Sequence, residues 1–211
     1  MPVDPHLLLA YLAACAVLIL TPGPDMLFVI AQTVRGGAGR GWAAALGISA
    51  GSLCHVALAA LGLAAVLAAS PGLFLAVRVV GAAYLIWLGV GCLRAASRPD
   101  GGAAPLPAVG ARQGPGAAFR EGMATNLLNP KVALFFLAFL PQFVAPDRAP
   151  AWLQMLVLGP LLPLLALPFF GALIAAAGRA AAGLVAVRRW LDALAGMIFV
   201  GLGFRVLLAP R

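Results

Sequence analysis

The sequence predicts an all-α, polytopic membrane protein, with six transmembrane helices arranged as two inverted three-helix repeats. Three observations carry that expectation. First, the 211 residues are 64% hydrophobic and only 9% charged, with a mean hydropathy of +1.05. Soluble domains carry about a quarter charged residues, so this composition suits a bilayer rather than water. Second, long apolar stretches recur along the chain, and the Arg residues gather in alternate gaps between them. Third, each half of the chain carries one proline motif at a corresponding place.

The six apolar segments are Leu7–Val34, Trp42–Ala69, Leu73–Leu93, Phe119–Ala145, Ala151–Gly178 and Trp190–Leu208. A spanning helix needs about 20 residues. Several of these are longer, which leaves room for tilt or for an internal break. The gaps are Arg35–Gly41, Ser70–Gly72, Arg94–Ala118, Pro146–Pro150 and Arg179–Arg189. Arg35 and Arg40 lie in the first gap. Arg94, Arg98 and Arg112 lie in the third, with Arg120 at its edge, and Arg179, Arg188 and Arg189 lie in the fifth. The second gap holds no cation, and in the fourth Arg148 stands beside Asp147. Cation-rich loops face the cytoplasm, which puts both termini outside. Arg78, Arg205 and Arg211 then fall at the outer interface, where Arg snorkels.

The chain reads as one transmembrane transporter domain over residues 1–211, with no room for a sizeable soluble module. Its parts are a first three-helix repeat over 7–94, a Gly-, Pro- and Ala-rich cytoplasmic linker over 95–118, and a second repeat over 119–208. The first helix of each half carries a proline motif: Thr21-Pro22-Gly23-Pro24-Asp25, then Asn126-Leu127-Leu128-Asn129-Pro130-Lys131. The third helices end alike, in Gly89-Val90-Gly91-Cys92-Leu93-Arg94 and Gly201-Leu202-Gly203-Phe204-Arg205. Three helices is an odd number, so the second half enters the membrane upside down, as in many secondary transporters.

Several function classes fall away. The net charge is +8, yet the Arg residues lie mostly in loops and form no basic stripe interleaved with aromatics, so no nucleic-acid partner is expected. Cys15, Cys54 and Cys92 lie inside apolar runs without a CxxC pair and read as packing residues, with no metal site. There is no GxSxG, HExxH or P-loop, so no enzyme, no ATP-driven machine and no cofactor is expected. The N-terminus lacks the cations of a secretory signal. Leu12-Ala13-Ala14-Cys15, which matches a lipoprotein cleavage pattern, is read as ordinary helix.

The two proline motifs carry the functional expectation. Proline within an apolar helix removes a backbone hydrogen bond, and freed backbone groups are tolerated in lipid only against protein or a water-filled cavity. Asp25 precedes Val34 by nine residues and Lys131 follows Phe119 by twelve. At 1.5 Å per residue both charges lie about 14–18 Å from the cytoplasmic side, near mid-membrane. Charges there are costly and mark function. Asn129 before Pro130 reads as a cap and a first helical residue, and Thr21 before Pro22, or Gly23 before Pro24, reads the same way. Each half-helix start would offer N–H groups to a carboxylate. Lys131, the only lysine, adds positive charge, and Asp25 suits an ammonium group. Together they suit a zwitterionic amino acid. The alternative is that Asp25 and Lys131 pair with each other and hold the halves together. His55 is read either as a proton relay or as a neutral side chain bonded to a neighbouring helix. The glycines of Gly47-Ile48-Ser49-Ala50-Gly51 read as close helix packing.

These residues resemble a known family. Thr21-Pro22-Gly23-Pro24-Asp25, Gly47-Ile48-Ser49-Ala50-Gly51 with His55 and Leu61-Gly62-Leu63, and Gly81-Ala82-Ala83-Tyr84-Leu85-Ile86-Trp87-Leu88-Gly89 look like its first three helices. Phe119-Arg120-Glu121-Gly122, Asn126 to Lys131 and Phe139-Leu140-Pro141-Gln142-Phe143 look like its fourth. This is the LysE/RhtB family of amino-acid exporters, in the branch associated with homoserine, threonine and lysine efflux. The resemblance covers almost the whole chain in order. It implies a bacterial inner-membrane protein that exports amino acids or related metabolites, driven by the proton motive force. The expected partners are a small-molecule amino acid, membrane lipid and protons, with room for a homo-oligomer. The rival expectations are a passive channel for a small polar solute and a membrane partner subunit without transport of its own.

Overall fold

The computed structural model describes residues 2–63, 71–97, 114–145, 147–176, 190, 192–201, 203–204 and 207–208, and these residues are helices and their connections. The stretches 98–113 and 177–189 lie outside the described residues. With them lie Arg98, Arg112, Arg179, Arg188 and Arg189, most of the predicted linker and most of the charge pattern that orients the chain.

Helix α1 runs over Pro5–Leu20. Asp4 starts it: its Oδ1 accepts from the His6 and Leu7 amides at 2.8 and 3.2 Å, with Pro5 in the first turn. It ends because Thr21, held extended at φ −70° and ψ 119°, precedes a proline that disfavours helical backbone there. Gly23 then caps α2, Pro24–Leu58, which begins on Pro24 and continues as a π-helical turn over Ala59–Leu63.

Within α2 the chain turns back at Gly37, whose φ of 77° and ψ of 176° suit only glycine. Residues eight apart on a straight helix stand about 12 Å apart. Here a Cβ on Gly41 would overlap Thr33, and Arg40 Nε lies 2.9 Å from Gln32 Oε1. The expected Arg35–Gly41 loop is therefore a one-residue turn between two helical limbs. Arg40 is not a loop anchor but is 6% exposed, donating from Nε and an Nη to Gln32 Oε1 at 2.9 and 2.6 Å.

Helix α3 covers Pro71–Ala96, and α4 covers Pro115–Leu127. Leu128 and Asn129 break the chain before α5, Pro130–Leu134, which runs on through a π turn, Phe135–Phe139, and a 3₁₀ turn, Leu140–Phe143. Helices α6, Ala151–Leu158, and α7, Leu161–Ala175, flank Gly159 and Pro160. A last helix, α8, lies at Asp192–Gly201.

Close approach of α2 to α4 is what brings the two halves together. A Cβ on Gly47 would strike the Phe119 carbonyl, and one on Gly122 would lie 2.5 Å from the Ala44 oxygen. Small residues let backbones approach in this way. One apolar cluster joins α1, α5 and α6 around Tyr11, Phe136, Met155 and Leu158. The other joins α2 to α7 around Met26, Ile48, Phe170 and Leu173. Outward faces carry large apolar side chains such as Leu9, Leu61, Trp87 and Trp152, which suits contact with lipid. Asp192 is buried.

Among the described residues three stretches are long and apolar enough to cross a membrane: Pro24–Gly62, Val79–Ala96 and Ala151–Ala175. A fourth is reached if Pro115–Leu127 and Pro130–Phe143, bent by 54°, form one span. That is fewer than the six expected. The prolines at 22 and 24 cut the first apolar segment into α1, of 16 residues, and the short first limb of α2. In the sixth segment the continuous described helix is the ten-residue α8, with helical residues also at 190, 203–204 and 207–208.

Candidate functional site

The two proline breaks, about a hundred residues apart in sequence, meet at one cavity. The space around it, part of it open to solvent, is about 510 Å³. Thr21, Gly23 and Asp25 enter it from the first break, and Asn126, Asn129 and Lys131 from the second. Ser49 and Ser52 reach it from the second limb of α2. Pro22, Pro24 and Pro130 do not line it. They act on it by ending α1 and starting α2 and α5.

Asn126 is the hub. Only 1% exposed, it donates from Nδ2 to Asp25 Oδ2 at 2.8 Å and accepts at Oδ1 from Ser52 at 3.3 Å. Its carbonyl oxygen lies 3.3 Å from His55 Nε2. A Cβ on Gly51 would come within 2.9 Å of Asn126 Oδ1, so Gly51 leaves the hub its place. His55 itself does not line the cavity. It stands behind Asn126, its ring stacked on Phe136 with centroids 6.2 Å apart.

Asn129 caps α5 as the sequence suggests, its Oδ1 accepting from the Lys131 amide at 3.0 Å. The carbonyl of Asn129 takes the Val132 and Ala133 amides. The expectation of free N–H groups at this helix start is thus corrected: they are already bonded. At the first break the cap is Gly23 before Pro24, not Thr21 before Pro22.

Lys131 also departs from expectation. Its ammonium donates to the carbonyl oxygens of Leu18 at 3.1 Å and Thr21 at 2.9 Å, at the C-terminal end of α1. Cations are favoured at that end of a helix. Gly23 permits the approach, since a Cβ there would stand 3.2 Å from Nζ. Asp25 and Lys131 form no direct ion pair; each is held by other groups. An ammonium has three donors, and these two bonds leave one.

Two buried atoms at the cavity, Asp25 Oδ1, an acceptor, and Asn129 Nδ2, a donor, belong to neighbouring side chains and make no hydrogen bond of good geometry. Unmatched buried polar atoms are rare and costly. The remaining wall is apolar, from Leu18, Ile19, Met26, Ile48 and Val132 and from Leu162, Pro163, Ala166 and Phe170 of α7. The α7 contribution escaped the sequence reading. Leu162, Ala166 and Phe170 are spaced four apart, but in a helix that is apolar throughout this spacing singles out no face.

A family model described as LysE type translocator matches residues 16–209. An uncharacterised membrane protein of Pseudomonas aeruginosa is 37% identical over 203 residues, covering 93% of this chain and 92% of its own length. A leucine efflux protein of Klebsiella pneumoniae is 30% identical over 207 residues, covering 94% and 93%. A leucine efflux protein of Salmonella typhimurium is 30% identical over 200 residues, covering 93% and 92%. No solved structure matches the chain.

Proposed function

The chain belongs to the LysE type translocator family, and from that premise we propose that it exports amino acids through the cavity between its two helix breaks. As a member of that family it is a transmembrane transporter rather than an enzyme. The observation that supports the site is Asp25 Oδ1 beside Asn129 Nδ2, a buried acceptor and donor without a well-formed bond between them. A zwitterion completes both: its ammonium donates to Asp25, and its carboxylate accepts from Asn129 and from the remaining N–H of Lys131. The names of the leucine efflux relatives support an amino acid as the solute.

Transport on this reading is alternating access, by rocking of two inverted three-helix repeats around the site. In the six-span arrangement, α1 and the first limb of α2 together make the first span and the second limb makes the second. The bent pair α4–α5 makes the fourth. The repeats are residues 7–94 and 119–208, with the cytoplasmic linker 95–118 between them and both termini outside the bacterial inner membrane. The proton motive force drives export. His55, joined to Asp25 through Asn126, is the proton-carrying side chain on this reading.

The test is efflux from proteoliposomes loaded with labelled amino acids, with and without a pH gradient. Saturable efflux stimulated by the gradient supports the exporter. Fast, unsaturable flux of many polar solutes would replace it with a channel, and no flux of any amino acid would remove the transport reading for this solute class.

A further inference from the structure

We infer that the first limb of α2, residues 24–36, is a gate that closes the cavity on the side of the Gly37 turn, and that Gln32, held between Arg40 and Glu121, is its latch. The inference rests on the exporter reading and names the part that moves at one end of that same site.

The limb lies between two breaks. Pro22 and Gly23 part it from α1, and at Gly37 the chain turns back with φ 77° and ψ 176°. Backbone torsions change at such places without bending a helix. Its neighbours are joined more firmly. The second limb, residues 38–58, meets α4 backbone to backbone: a Cβ on Gly122 would lie 2.5 Å from the Ala44 oxygen, and one on Gly51 would lie 3.0 Å from the Met123 oxygen. The first limb is instead fastened to α4 by side chains near each of its ends. Asp25 accepts from Asn126 at 2.8 Å. Seven residues on, about 10 Å along the helix, Gln32 Nε2 donates to Glu121 Oε2 at 3.3 Å. Residues Phe28 to Thr33 are each 8% exposed or less, so the limb fills the space between the cavity and the Gly37 end.

Charges of opposite sign orient the Gln32 amide. Its Oε1 accepts twice from the Arg40 guanidinium, at 2.9 and 2.6 Å, and its Nε2 faces the Glu121 carboxylate. The forked bond to Arg40 is short and charge-assisted, and it stays within α2. The bond to Glu121 is long, crosses to α4 and ends on a half-buried side chain. The latch therefore parts between Gln32 and Glu121. Arg40 stands three residues beyond the hinge, and its long side chain follows Gln32, so the amide is not left bare when the latch opens. Asp25, which takes the substrate ammonium on the exporter reading, sits in the first turn of the gate. Occupancy of the site and the position of the gate are thus joined through one limb.

The test is one-sided labelling of Ser49→Cys, a cavity position, with a membrane-impermeant maleimide. It uses proteoliposomes of the full-length chain with Cys15, Cys54 and Cys92 replaced by alanine. Gly39→Cys, beside the turn with open space around it, identifies the membrane face that carries Gly37. From that face Glu121→Ala should raise the labelling rate at least about threefold, as a shift toward the open state does, with no rise from the opposite face. Glu121→Asp, one methylene short of Gln32, should act in the same direction, and it serves where Glu121→Ala gives no single folded species. Glu121→Gln keeps a carbonyl acceptor for Gln32 and should stay within about twofold of the native rate. Unchanged labelling in the alanine and aspartate variants, an equal rise from both faces, or a glutamine variant that behaves like the alanine one would each overturn the latch. Labelling requires no transport, so its outcome is read separately from efflux, whose absence in the native chain would strike the exporter reading.

Discussion

Lys131 Nζ donates to the carbonyl oxygen of Thr21 at 2.9 Å, so the only lysine of the chain fastens the second proline break to the end of α1. With the bond to Leu18 it closes the C-terminal end of that helix, and the two proline breaks meet at one side chain. A residue that looks in sequence like a free positive charge is therefore both a structural tie and a wall of the site.

Lys131→Ala should lower stability as well as transport. Hydrogen bonds from a charged donor contribute about 1.5–3 kcal/mol each. Thermal unfolding of the purified protein in detergent should show a clearly lower midpoint, and efflux should fall to background. Lys131→Arg should not rescue either, because a planar guanidinium does not fit a two-carbonyl site shaped for an ammonium. A Lys131→Ala protein as stable as the native chain would remove the tie.

The contact between α2 and α4 should tolerate no added methyl group. Gly47→Ala and Gly122→Ala place a Cβ against backbone oxygens and should each cost about 1–3 kcal/mol by overpacking. Gly39 faces open space on a helix, so Gly39→Ala should leave stability unchanged or raise it by about 0.4–1 kcal/mol. Detergent melting curves of the three variants distinguish this packing from a general intolerance of substitution in α2.

His55 should matter to coupling rather than to binding. It touches the Asn126 carbonyl but not the cavity. His55→Gln should keep leucine efflux down its own gradient while losing the stimulation given by a pH gradient. Undiminished stimulation in His55→Gln would take the proton role away from this residue.

At the N-terminus, the Leu7 amide, with the His6 amide and Arg148, holds the Asp4 carboxyl below the usual carboxylate range despite partial desolvation. A carboxylate depressed in the folded state stabilises above its unfolded pKa and loses that contribution as pH falls through the folded value. The protection factors of the first-turn amides of α1, exchange rates corrected for the intrinsic effect of pH, should therefore fall as the pH drops below about 4, and Asp4→Ala should show the low protection already at neutral pH.

The convergence of the two proline breaks was more legible in the sequence than the fold around them. Pro22, Pro24 and Pro130 mark helix breaks because a missing N–H acts locally, and the residues beside them, Asp25, Asn126, Asn129 and Lys131, do converge. Their partners were less legible. That Asp25 bonds to Asn126 depends on how closely α2 and α4 approach, which Gly47 and Gly122 decide in three dimensions, and that Lys131 bonds to Leu18 and Thr21 depends on how α5 meets the end of α1. Arg40 misled for a similar reason: a charge flanked by glycines looks like a loop residue, yet the turn at Gly37 folds it onto Gln32. The α7 wall escaped because an apolar stripe facing a cavity has the same composition as one facing lipid.

The most direct test of the central claim is binding of leucine, and of leucine analogues lacking one charged group, to Asp25→Asn and Asn129→Ser. Serine keeps a capping oxygen for α5 but removes the amide donor. Isothermal titration should show Asp25→Asn weakening leucine and the amine-only analogue 3-methylbutylamine, while 4-methylpentanoate, which has only the carboxylate, is little changed. Asn129→Ser should do the converse. Equal weakening of all three ligands in both variants, or no weakening in either, would contradict a zwitterion held between the two breaks.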